Sequence, residues 1–66
     1  MVTFKVNDMT CGHCVSLINK AIKEVDSNAR VEVKLDQHLV MVESDRVDTQ
    51  MVQDAIIDAG YTPELV

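Results

Sequence analysis

Apolar residues recur along this 66-residue chain with two different periods. At the N-terminus Val2, Phe4 and Val6 alternate with polar neighbours, the spacing of a half-buried strand assigned to residues 2–7. Further on the interval lengthens. Ile18, Ala21, Ile22 and Val25 fall on one face of a helix from about residue 13 to 25, which Asp26-Ser27-Asn28 stops. Val31, Val33 and Leu35 restore the alternation over 30–35, Asp36-Gln37-His38 forms a turn, and 39–44 returns as the hairpin partner. In that returning strand Val40 and Val42, rather than Leu39 and Met41, are assigned to the core. Asp48 suits the N-cap of a second helix reaching residue 59, with Met51, Val52, Ala55, Ile56 and Ala59 as its apolar stripe. Gly60 fits the position just past that helix, where left-handed backbone is common. A short strand over 61–65 closes the chain, and Pro63 puts it at a sheet edge.

The predicted order is β-α-β-β-α-β in a single domain spanning 1–66, an α+β chain with both helices on one face of a four-stranded sheet. This topology is read as putting the turn that carries His38 at the end of the sheet opposite the 8–12 loop.

Composition narrows the class. A chain this short buries only about 60% of its unfolded surface, so it supports one small core. With 47% hydrophobic and 26% charged residues it reads as globular. No apolar run approaches the roughly 18 residues of a membrane span, and no basic and apolar leader is visible. The net charge of −5 argues against nucleic acid as a partner. That charge is uneven: residues 1–34 carry a net +1 and residues 35–66 a net −6. Lys20 and Lys23 on the first helix are candidates to flank a docking surface for an acidic partner.

The chemistry lies in Cys11-Gly12-His13-Cys14, which holds both cysteines of the chain. The pair sits where a strand is delivered into a helix N-terminus, whose unpaired N–H groups and dipole favour thiolate. A disulfide across so short a loop would stabilise little, and paired thiols without a structural task suit the reducing cytosol. They can hold one soft metal ion or cycle between dithiol and disulfide. Soft sulfur donors select Cu(I), which accepts two or three ligands; zinc favours a closed set of four. His38, placed at the far end, would leave a zinc site incomplete.

Met9-Thr10-Cys11-Gly12-His13-Cys14, followed by Val15, Ile18, Ala21, Ile22 and the late Ala59-Gly60-Tyr61, closely resembles the heavy-metal-associated domain family, and within it the small soluble copper chaperones of bacteria. The resemblance covers Val2 to about Leu65. It implies a ferredoxin-like open-faced sandwich with strand order 4-1-3-2, with Cys11 and Cys14 as ligands to Cu(I). Ag(I) and Hg(II) suit the same pair, and Zn(II) fits it less well. It also implies a cytoplasmic metallochaperone, not an enzyme, that passes copper by ligand exchange to the metal-binding domain of a copper-transporting P-type ATPase. Such a protein is monomeric when apo and can form a metal-bridged dimer when loaded. An initiating Met and an end just after the last strand favour a free-standing chain over a domain cut from such an ATPase. Asp8 stands where the family usually has Gly, a residue that adopts positive φ more readily.

Each neighbour of the thiols has two readings. Thr10, where zinc-handling relatives often carry an acid, matches the copper members and also suits an N-cap. His13 is either a plain exposed side chain or a tuning group, as a third ligand in a dimer or a cation near a thiol. Met9 is a loop anchor before it is a thioether ligand. Tyr61 either caps the core edge or, as the resemblance implies, shields the thiolates. Met41 and Met51 are assigned to the core. The rival function is a thiol–disulfide oxidoreductase, since Cys-Gly-His-Cys is also the disulfide-isomerase tetrapeptide. The short chain, the absence of Trp and a proline only near the end count against it.

Overall fold

A computed structural model describes residues 2–46 and 48–66. Its elements are β1 (Val2–Val6), α1 (Gly12–Val25), β2 (Arg30–Lys34), a 3-10 turn (Leu35–Gln37), β3 (Leu39–Glu43), α2 (Thr49–Asp58) and β4 (Pro63–Leu65). The sheet order is β2-β3-β1-β4, with every adjacent pair antiparallel. This is the ferredoxin-like α+β sandwich expected from the sequence, with β1, β2 and β3 each ending one residue before the predicted bound and β4 beginning two residues after it.

The alternation in β1 and β3 sends Phe4, Val6, Val40 and Val42 to the covered face. There they meet Ile18 and Ile22 of α1 and Val52, Ala55 and Ile56 of α2, all buried. Burying each of the larger side chains stabilises the fold by about 1.5–3 kcal/mol. Pro63 pairs opposite Val6 in the edge strand β4. Both methionines assigned to the core lie outside it. Met41 is half-buried, because its neighbours Val40 and Val42 already face the helices and alternate positions must point away. Met51 is 45% exposed: the buried stripe of α2 runs 52, 55, 56, and position 51 lies about 100° round the helix from it.

The ends of α2 follow its sequence closely. Asp48 caps the first turn by accepting the Met51 N–H at 2.9 Å. Past the last turn Gly60 has φ +99, and two main-chain bonds close the end: Gly60 N–H to Ile57 O at 2.9 Å and Tyr61 N–H to Ile56 O at 3.2 Å. This paired closure requires positive φ at position 60, which glycine supplies without strain, and it turns the chain so that Tyr61 leaves the helix toward α1.

One topological expectation is overturned. The turn carrying His38 is at the same end of the sheet as the thiol loop. Since β3 is antiparallel to both β1 and β2, those two strands run in the same direction and end together. Main-chain and side-chain contacts agree: Val6 N–H donates to His38 O at 2.8 Å, and the His38 ring meets the Met9 carbonyl.

Candidate metal centre

The loop from β1 to α1 is anchored before it reaches the cysteines. Met9 is fully buried in the core, so it acts as an apolar anchor, and its N–H donates to Val6 O at 3.2 Å. Asp8, the position that departs from the family's glycine, adopts no positive φ. Its carboxylate instead accepts the Thr62 N–H at 3.2 Å and ties the loop to the segment before β4. Nothing in the sequence pattern marks that bond, which links residues 54 positions apart.

The N-cap of α1 is Cys11, not Thr10. Cys11 has extended backbone, and its Sγ accepts the Cys14 N–H at 3.3 Å, so the first helical N–H groups point at a sulfur. Thr10 stays exposed and acts through its backbone on Cys14. The two sulfurs are in direct contact at 2.6 Å. Cys11 is exposed; Cys14 is half-buried and packs against the core. The contact with Cys11, then the Tyr61 hydroxyl and the backbone of Thr10 and Cys11, favour thiolate at Cys14 against the opposing effect of burial. Together they bring its pKa down to about 7. The hydrogen bond to Cys14 pushes the Tyr61 hydroxyl up to about 12, with burial and neighbouring negative charge adding to it, so Tyr61 stays protonated as a donor to Cys14. Tyr61 is half-buried at the core edge and also lies against Cys14.

Cys11 is exposed at the N-cap of α1, while Cys14 is held by its packing and its helix. His13 is exposed in the first turn of α1. Although His38 shares this end of the molecule, its Nδ1 faces the Met9 carbonyl. Among the described residues, no group of three or more His, Cys, Asp or Glu could hold an ion, so a closed zinc site within one molecule is still incomplete.

The lysines separate. Lys20 is exposed and lines a groove between the helices with Leu17, Ala21, Glu24, Asp58 and Ala59. Lys23 lies in the last turn of α1, about 14 Å of helix rise beyond Cys14. Its ammonium donates to Ala29 O at 2.6 Å, so Lys23 does not flank the thiols.

Two contacting sulfurs at a helix N-terminus, Cys11 exposed and Cys14 half-buried, on a ferredoxin-like sandwich are the arrangement of a small metal-binding module. The family model for the heavy-metal-associated domain matches residues 3–62, and the chain belongs to that family. The copper chaperone CopZ of Bacillus subtilis is 36% identical over 61 residues, covering 89% of this chain and 88% of that protein. A crystal structure of a gold-binding protein superposes with a TM-score of 0.93 at 33% identity, covering all of both chains. The copper chaperone Atx1 from Synechocystis PCC6803, in a trimeric His61Tyr form, superposes with a TM-score of 0.92 at 28% identity, covering 97% of this chain and 100% of that one.

Proposed function

We propose that this chain is a cytosolic metallochaperone that binds one Cu(I) through Cys11 and Cys14 and passes it to the metal-binding domain of a copper-transporting P-type ATPase. The observation that carries the reading is the contacting sulfur pair on a surface loop, with Cys14 close to half ionised near neutral pH. Soft thiolates discriminate for Cu(I) over hard divalent ions, and two ligands satisfy it without a cage. Relatives that bind copper, and a similar structure that binds gold, support a site for soft metals.

Exposure supports transfer. A partner's thiolate can attack the under-coordinated ion before either original bond is lost, by the ligand-exchange logic of thiol chemistry. Cys11 is the ligand that leaves first, because Cys14 is packed and paired with Tyr61. Lys20, the lysine still free to face a partner, would guide an acidic docking surface over about a Debye length, ~8 Å at physiological ionic strength.

Stopped-flow transfer of Cu(I) to an isolated ATPase metal-binding domain tests this. Wild type should transfer rapidly, and Lys20→Glu should transfer more slowly, with a smaller salt dependence and unchanged copper affinity. Copper that leaves only at the rate of spontaneous dissociation would contradict ligand exchange. The same contact between sulfurs also favours a dithiol–disulfide couple, so turnover of a disulfide substrate without metal would instead support the oxidoreductase reading.

A further inference from the structure

We propose that His38 is a positioning residue that holds the thiol loop in shape from across the sheet end and thereby slows metal exchange. The kinetic half of this rests on the carrier reading above. His38 is the only non-glycine among the described residues with positive φ, at 57°. Glycine would make that turn without steric cost and asparagine as readily, so the turn alone does not single out histidine. What the imidazole adds is reach. Its Nδ1 lies 3.1 Å from the Met9 carbonyl oxygen, 29 residues away in sequence. A carbonyl only accepts, so Nδ1 carries the hydrogen and donates it.

The same residue's own carbonyl accepts the Val6 N–H at 2.8 Å. His38 therefore grips both ends of the segment 6–9, which the Met9 N–H to Val6 O bond already tightens. The Met9 carbonyl is two residues from Cys11, whose sulfur caps α1. A shift there is passed directly to the metal-binding cap.

Two variants separate positioning from turn-making. His38→Gly keeps the left-handed turn and the Val6 main-chain bond but deletes the ring. His38→Asn tolerates the same backbone and presents an amide N–H at the place of Nδ1. Amide hydrogen exchange on the apo chain should show residues 9–12 exchanging about 3–10-fold faster in His38→Gly, the range expected for losing one hydrogen bond, with any fall in global stability no larger than that one bond accounts for. Release of Cu(I) to bathocuproine disulfonate should accelerate by a similar factor, and His38→Asn should return both to within about twofold of wild type. Loop exchange unchanged in His38→Gly, or no rescue by His38→Asn, overturns the proposal. Wild type that fails to bind Cu(I) overturns the carrier reading and the kinetic half, while apo exchange judges the positioning half alone.

Discussion

The two ends of this sheet treat their polar groups in opposite ways. At the end away from the thiols, Asp26 is 8% exposed and fully engaged. The Ser44 hydroxyl donates to it at 2.5 Å, the Asn28 N–H donates at 3.0 Å, and Ser44 in turn accepts the Arg46 N–H at 3.1 Å. Those bonds, with burial opposing and Arg46 and Lys23 nearby, hold the Asp26 carboxyl below its ordinary range. A cleft of about 450 Å³ opens there, lined by Arg30, Glu43, Asp45 and Arg46 among others, yet its central groups spend their capacity on one another. At the thiol end a surface loop carries two sulfurs that have each other and Tyr61. The loop leading to them is tied down by the buried Met9 and by bonds to Asp8 and His38, while Cys11 itself stays exposed. A saturated network locks a fold, whereas an accessible pair of soft sulfurs keeps capacity for an ion.

Substitutions should separate the two ends cleanly. The largest effect is expected from Cys11→Ser and Cys14→Ser, each lowering Cu(I) affinity by orders of magnitude in chelator competition. Their unfolding free energies should stay within about 1 kcal/mol of wild type, since Cys11 is exposed and Cys14 packs only at the edge of the core. Loss of fold in both would erase the distinction between the ends.

Next in size is Asp26→Ala, which leaves the Ser44 hydroxyl and the Asn28 N–H without their acceptor. Denaturant unfolding should show a loss of about 1–3 kcal/mol, with copper affinity unchanged. Because the folded-state pKa of Asp26 is depressed, its contribution is fully present above the ordinary carboxylate value and is lost as pH falls through the lower folded value. The stability gap between wild type and Asp26→Ala should therefore close in strongly acid solution. A gap independent of pH down to that range would mean that the carboxylate is not the stabilising species.

The smallest effect, and the sharpest probe of the thiol end, is Tyr61→Phe. Removing the donor should move the Cys14 pKa upward from about 7, read as a shift to higher pH of the alkylation profile of Cys14 in apo protein. A depressed thiol pKa contributes stability that is present above the ordinary thiol value and lost as pH falls through about 7, so Tyr61→Phe should narrow that pH dependence. An unmoved alkylation profile would assign the depression to Cys11 and the backbone alone.

Most of the fold was legible because its signals are local. Period-two alternation placed Val40 and Val42 inward, Asp48 capped α2, and Gly60 supplied the positive φ that its closure requires. The Cys11–Cys14 motif was visible because both members lie within one turn of chain. What escaped was non-local or a matter of geometry. His38 was assigned to the wrong end because the direction of β2 follows from its pairing partner and not from its own residues. The Asp8–Thr62 bond joins segments that only the completed sheet brings together. Thr10 lost the cap to Cys11 because a thiol one residue later occupies the capping geometry, an arrangement outside the usual Ser, Thr, Asp and Asn preference. Met51 was misplaced by one position of helix phase, an error that periodicity alone does not correct at a helix end.

The central claim is that an exposed, two-thiolate loop on a pinned platform carries one soft ion per chain. Cu K-edge absorption on protein loaded anaerobically with Cu(I), with metal counted per chain and the Cys11→Ser/Cys14→Ser double variant treated alongside, tests it most directly. The account predicts a sulfur-dominated first shell at one copper per chain and no retained copper in the double variant. A first shell of nitrogen and oxygen, or a double variant that still holds copper stoichiometrically, would contradict it.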